Sequence, residues 1–229
     1  MDSEIISDAR VKGGRPSRAE AERLEEKILK VATGLFVEQG FAATSIEAVA
    51  RGAGVAKRTL YVRYADKAAL YVAVIRRLMR QWLETVEETV PPDAEVAEVL
   101  CALGRSLLAA ITRPEVIALH RVMYAEGPRF PDMARLVHEL CADHGWRTIA
   151  EILERETARG RLTITDPLFT AQQFYHLIVA EPLDRLLGAH PHPFTTVDGE
   201  DWVRRSVALF LNGTRAFGDQ GFALDPPGA

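Results

Sequence analysis

The chain has 229 residues, of which 48% are apolar and 26% charged, with a formal net charge of −4. That balance predicts a packed core rather than a disordered chain, and the length allows a small domain joined to a larger one. No run of about 18 apolar residues occurs, which excludes a membrane-spanning helix. Residues 1–18 are polar and lack the apolar centre of a secretory signal, and two cysteines make no disulfide framework, so a reducing cytoplasm is the expected compartment.

The charge is unevenly spread. Residues 9–67 hold 12 Lys and Arg against 7 Asp and Glu, a net of +5, and include every lysine of the chain. From residue 68 onward there are 16 Arg against 22 acids, a net of −6. A basic first part suits phosphates and an acidic remainder does not, which suggests two separate jobs.

Apolar residues recur at helical spacing and alternating β-branched runs are almost absent, so the predicted fold class is all-α. Residues 1–18 read as a flexible basic arm. A first helix is predicted over 18–39, with Leu24, Ile28, Leu29, Val31, Ala32, Leu35 and Phe36 on one face, Gly40 at its end and Phe41 placed to fold back on that face. A second covers 45–52 behind a Thr44–Glu47 capping box, with Ile46, Val49 and Ala50 inward. Gly52, Ala53 and Gly54 form the turn to a short third helix over 56–62. A fourth helix, capped by Asp66, runs to 89, where Pro91 and Pro92 stop it.

Further helices are predicted over 93–112, 114–125, 131–159, 167–188 and 199–217. Pro114, Pro131 and Pro167 stand in first turns, where proline is tolerated. The 131–159 helix is expected to bend near Gly145 and the 167–188 helix to kink at Pro182. Residues 218–229 read as a frayed tail. The predicted division is an arm (1–18), a three-helix head (19–67), a larger helical part (68–217) and the tail.

Two short helices joined by a glycine-containing turn have helix-turn-helix geometry. The second exposes Lys57, Arg58, Thr59, Tyr61 and Arg63, while Val55 and Leu60 turn inward. Such a helix suits a major groove. Arg and Lys donate to guanine O6 and N7, and a threonine methyl meets a thymine methyl. Tyr61 and Lys67 have donors suited to phosphate oxygens, which fix position rather than sequence. Thr44 and Ser45 stand where the second helix opens its free N–H groups to a phosphate. A helical hairpin with a merely solvated basic face carries the same pattern.

The stretch "FAATSIEAVARGAGVAKRTLYVRYADKAALY", residues 41–71, resembles the DNA-binding domain of the tetracycline-repressor (TetR/AcrR) family. The family pattern is matched without a gap at Thr44, Ser45, Ile46, Val49, Ala50, Ala53, Gly54, Val55, Ala56, Thr59, Leu60, Tyr61, Tyr64, Lys67 and Leu70. Ala56 stands where Ser is usual, and Arg58 where many members have Gly. The arm "GGRPSRAE", residues 13–20, is also similar to members of the family, and Arg15 is placed to reach a minor groove. The segment "AEGPRFPDMARLVHE", residues 125–139, resembles a subgroup of AcrR-type regulators, several of which are associated with efflux and hydrophobic effectors. The resemblance implies a repressor released by a small hydrophobic effector, with an effector-binding and dimerisation domain from about residue 68 onward.

For a pocket, the candidates are Trp82, Leu107, Met123, Trp146, Phe174 and Leu177, with Met79, Leu103, Tyr124 and Ile149 beside them. They are bulky side chains at core-facing spacing on several helices, near the polar His120, His176 and Glu181. Such residues also make plain core. For a dimer, Leu183, Leu186, Trp202, Val203 and Phe210 line the last two long helices, which the resemblance implies form a four-helix interface. The same stripes also suit packing within one chain.

Other constellations point nowhere strong. His138, Cys141 and His144 recur every third residue but lack a fourth ligand for a tight metal site. His190 and His192 lie in a proline-rich loop. There is no nucleophile-elbow motif, no phosphate-binding glycine loop and no catalytic set, so neither enzyme activity nor a cofactor is expected. Cys101 and Cys141 read as buried apolar residues. A DNA-binding dimer with no small-molecule ligand is the alternative to a ligand-responsive repressor.

Overall fold

The computed structural model describes residues 17–89, 94–188 and 196–216. The arm with Arg15, the Pro91–Pro92 break, the His190 and His192 loop and the tail from 218 lie outside the described residues. Among those described there are ten α-helices and no strand. They are α1 (Arg18–Ala43), α2 (Ile46–Ala53), α3 (Lys57–Arg63), α4 (Lys67–Thr89), α5 (Val96–Ile111), α6 (Pro114–Glu126), α7 (Pro131–Leu140), α8 (Arg147–Ala158), α9 (Pro167–Leu187) and α10 (Thr196–Ala216). A short 3₁₀ turn, Gly127–Arg129, follows α6, and a π-helical stretch, Cys141–Trp146, joins α7 to α8.

Local chemistry explains the boundaries. Ser17 caps α1, its hydroxyl accepting from Glu20 N while the Glu20 carboxylate accepts from Ser17 N. Gly40 breaks the regular helix with a φ of +79°, but the chain makes one more turn to Ala43. That break frees carbonyls, and Thr44 satisfies them by donating to Leu35 O and Gly40 O. The predicted Thr44 cap is therefore corrected. Ser45 caps α2, accepting from Ala48 N, and Thr44 is only 2% exposed.

Gly54, in the left-handed region at φ +65°, ends α2. Gly52 and Ala53 remain helical, so the turn falls two residues later than predicted. The helix predicted over 131–159 is divided by the π stretch, which contains Gly145. α10 starts three residues earlier than predicted, while α9 runs through Pro182 as a single helix.

Two apolar cores result. One gathers Ile28, Phe36, Phe41, Val49 and Leu60 of the head with Leu70, Tyr71 and Val74 of α4, Leu119 of α6 and Met133 of α7. The predicted boundary at residue 67 thus runs through a shared core. The other holds α5, α8, α9 and α10 together around Leu100, Leu103, Phe174 and Ile178. Burial of each such side chain contributes about 1.5–3 kcal/mol.

The second core corrects three of the five dimer residues. Leu183, Val203 and Phe210 are buried within their own chain, with Val203 against the bare α-carbon of Gly104 and Phe210 edge-on to Phe174. Leu186 and Trp202 are half-buried, and the Trp202 indole donates to Ile178 O at 2.9 Å. Among the described residues, Leu168 and Phe169 on α9 and Leu209 on α10 are large apolar side chains left exposed.

Candidate DNA-reading head and ligand cavity

The head is built so that α3 stands proud of the core. Leu60 is its only fully enclosed residue. At about 100° per residue, Arg58 and Val62 both fall about 160° from Leu60 and point directly outward. Both are exposed, Val62 to 78%. Sequence reasoning named Arg58 and missed Val62, although the helical wheel places the two together.

Lys57 and Tyr61 lie on one flank. The Lys57 ammonium pairs with the Glu47 carboxylate on α2 and sits 5.4 Å from the Tyr61 ring centroid, while the Tyr61 hydroxyl donates to Glu47 at 3.4 Å. The hydrogen bond between Lys57 and Glu47 raises the lysine pKa and lowers that of the acid. Thr59, half-buried, and exposed Arg63 lie on the other flank. Ser45 is exposed at the start of α2.

Lys67 is placed differently from its sequence reading. Its ammonium donates to Ala42 O at 2.9 Å and lies 4.6 Å from the Phe41 ring centroid, and burial lowers its pKa. One of its three donors is therefore spent inside the joint between the head and the remaining helices.

Of that joint, sequence reasoning foresees only Phe41 folding back on the apolar face of α1. Phe41 packs with Phe36, Tyr71 and Phe130, with ring centroids between 4.9 and 5.8 Å apart. The carboxylate of Glu126, at the end of α6, accepts from Phe41 N and Ala42 N, both at 2.7 Å. These are the free N–H groups of the turn beyond Gly40, where a helix start favours an anion. A β-carbon at Gly40 would stand 2.7 Å from the same carboxylate. The Tyr71 hydroxyl donates to Leu119 O of α6 at 2.9 Å, and the Arg77 guanidinium grips Glu26 of α1 with both its Nε and Nη2.

Above the joint lies a cavity of about 450 Å³, walled by α4, α5, α6, α7, the π stretch, α8 and α9. Of the predicted pocket residues, Trp82, Leu107, Met123 and Trp146 line it, as do Met79, His120, Tyr124 and Ile149. Phe174 and Leu177 do not. Phe174 is fully buried in the core, and the helical turn aims its neighbour Tyr175 at the cavity instead. Leu103 is buried in the core, and His176 and Glu181 are exposed.

The cavity wall is overwhelmingly apolar and includes no acidic side chain. Its one guanidinium, Arg113, is engaged with Glu115 and Gln81. The π stretch contributes Cys141, Gly145 and Trp146; irregular turns of this kind recur at functional sites. His138 packs edge-on against Trp146, Cys141 faces the cavity and His144 is exposed, so the three do not converge on one point. Burial pushes the Cys141 thiol up to about 11, which keeps it protonated and unreactive near neutrality.

A protruding basic helix behind a glycine turn, set on an all-helical scaffold with an apolar cavity, defines a helix-turn-helix DNA-binding regulator. Comparison with known proteins agrees. Residues 28–74 match the model of bacterial regulatory proteins of the tetR family, and residues 98–213 match that of the AefR-like transcriptional repressor C-terminal domain. The chain is 34% identical over 90 residues to the transcriptional regulator RutR of Escherichia coli K12, a stretch covering 38% of this chain and 42% of RutR. This alignment thus spans less than half of that relative.

Among solved structures, the flavonoid-responsive regulator FrrA is 31% identical, with a TM-score of 0.65 over 84% of this chain and 97% of FrrA. A putative TetR-family regulator from Mesorhizobium loti is 25% identical, with a TM-score of 0.72 over 86% of this chain and 98% of its own. The chain belongs to the TetR family of transcriptional regulators. Its relatives are regulators, not enzymes. No helix among the described residues is long and apolar enough to cross a membrane.

Proposed function

We propose that the chain is a cytoplasmic, ligand-responsive repressor. It binds a near-palindromic operator as a homodimer and releases it when a small apolar or amphipathic molecule fills the cavity. The observation that carries this reading is the double membership of Tyr71. The residue lines the cavity, and its ring and hydroxyl also belong to the joint beneath the head. A ligand that prefers a form in which α4 and α6 stand further apart draws Tyr71 and Glu126 with it. The head, residues 19–67, then shifts against the body, residues 68–217. Operator affinity falls by linkage.

On the operator, Arg58 and Val62 meet base edges, guanine O6 and N7 for the first and a thymine methyl for the second. Lys57, Tyr61, Thr59, Arg63 and the remaining donors of Lys67 meet the sugar-phosphate backbone, as does the start of α2 at Ser45. Arg15 takes the adjacent minor groove. A two-fold pair sets two heads about 34 Å apart, one turn of DNA. Exposed Phe169 and Leu209 supply its apolar surface. The name of FrrA, a flavonoid-responsive regulator, supports a small-molecule effector, and the match to a repressor domain supports repression.

The test is a gel shift on the DNA upstream of the coding sequence at physiological salt. The Lys57→Ala, Tyr61→Ala double variant is expected to lose the retarded band while keeping its melting temperature. Unchanged retardation would overturn the DNA-contact assignment.

A further inference from the structure

The cavity carries information about what fills it, and this inference rests on the ligand-responsive reading above. A ligand here has a mostly apolar surface to cover, with aromatic rings contributed by Tyr71, Trp82, Trp146 and Tyr175. A charged ligand has no counter-ion to meet. No carboxylate lines the cavity, and Arg113 already answers Glu115. Burying an unpaired charge is far costlier than burying an unpaired hydroxyl.

Two polar side chains on different walls, His120 of α6 and Tyr175 of α9, offer a ligand an acceptor and a donor. His120 Nδ1 lies 2.9 Å from Val116 O. A carbonyl oxygen can only accept, so Nδ1 carries the proton. Burial lowers the ring's pKa and keeps it neutral near pH 7. Its Nε2 is then a bare acceptor. Tyr175 lines the same cavity from α9, and its hydroxyl makes no hydrogen bond to the described residues. Burial raises its pKa and keeps it a protonated donor.

We infer that the cavity is a site for an uncharged hydroxylated aromatic molecule of two or three rings. Its hydroxyl donates to His120 Nε2, and a carbonyl or ether oxygen accepts from the Tyr175 hydroxyl. The volume of about 450 Å³ falls within the range of small-molecule pockets, toward its smaller end. Such a molecule pairs with both His120 Nε2 and the Tyr175 hydroxyl, whereas a hydrocarbon leaves them unpaired and a carboxylate buries a bare charge.

The experiment uses the full-length chain and three matched probes: 4-benzyloxyphenol, its methyl ether 4-benzyloxyanisole, and the carboxylate 4-benzyloxybenzoate. Affinities are read by calorimetry, and release of upstream DNA by gel shift. The phenol is expected to bind about 3- to 10-fold more tightly than the ether, and the carboxylate more weakly than either. His120→Phe and Tyr175→Phe keep the bulk and remove one polar atom each. His120→Phe is expected to erase the phenol–ether difference, and Tyr175→Phe to weaken both probes by a similar factor. Melting curves identify any variant that fails to fold, and either substitution alone suffices for the test.

A carboxylate bound as tightly as the phenol overturns the inference. So does a phenol–ether difference that survives His120→Phe, or no phenol binding up to about 1 mM. Phenol binding that never releases DNA supports the site and counts against the ligand-responsive reading instead.

Discussion

Tyr61 and Tyr71 stand on neighbouring helices, and they serve two opposite kinds of surface. Tyr61 is 46% exposed, with its hydroxyl on Glu47 and Lys57 beside its ring. Tyr71 is fully buried, with its ring between Phe36 and Phe41 and its hydroxyl on a backbone carbonyl. The first kind of surface is charged, hydrated and easily rearranged, as a helix that must meet phosphates requires. The second is apolar and fully hydrogen-bonded, so a shift on one side is felt on the other. The exposed face of α3 lies largely apart from the folding core, whereas at Tyr71 the cavity wall and that core share one residue.

Substitutions can break or sharpen that contrast. Phe41→Ala is expected to cost about 3–5 kcal/mol in denaturant unfolding, because it removes the centre of the aromatic joint. Tyr61→Ala is expected to stay within about 0.5 kcal/mol of the parent. Equal losses at the two sites would end the distinction. On the reading side, Arg58→Ala should cost about 1–3 kcal/mol of operator affinity at one base position. An equal loss on every operator variant, with a shallower salt slope, would reassign Arg58 to a phosphate.

At the joint, Glu126→Gln removes the anion that accepts from Phe41 N and Ala42 N. A charge-assisted bond of this type contributes about 1.5–3 kcal/mol, so a moderate loss of stability is expected. The more telling readout is the ratio of operator affinities with and without effector, which should shrink toward one.

The smallest effect concerns pH. Burial holds His120 below its ordinary value of 6.5, so the folded chain binds fewer protons there than the unfolded chain. Stability from this residue is therefore present above 6.5, falls as pH drops through that value, and levels off below the folded pKa. His120→Phe should flatten that part of the stability curve, and an unchanged slope would place the proton elsewhere.

Much of this was legible in the sequence because it is local. Asp66 accepts from Ala69 N as an N-cap should, and Pro114, Pro131 and Pro167 each open a helix. The inward set Ile46, Val49, Ala50 and Leu60 followed from period alone. Thr44 and Ser45 could not be told apart, since either can cap. Only the carbonyls freed at Gly40 decide between them. Phe174 and Tyr175 are adjacent, so periodicity locates a buried face but not what lies beyond it. Leu183 and Val203 fit a stripe that serves either a partner or the chain's own core, and the packing of α9 and α10 on α5 claimed them. The Glu126 contact joins residues about 85 positions apart, and no local pattern reports it.

Gly40 has a consequence for anyone recombining such regulators. The turn it opens presents two N–H groups, and its missing side chain leaves the space in which the Glu126 carboxylate sits. One half of this fitting travels with the head and the other with the body. A chimera that grafts this head onto another sensing body needs an acid at the position equivalent to 126. A graft of this body beneath another head needs a glycine at the position equivalent to 40. Specificity and response are interchangeable modules only where that plug and socket are exchanged together.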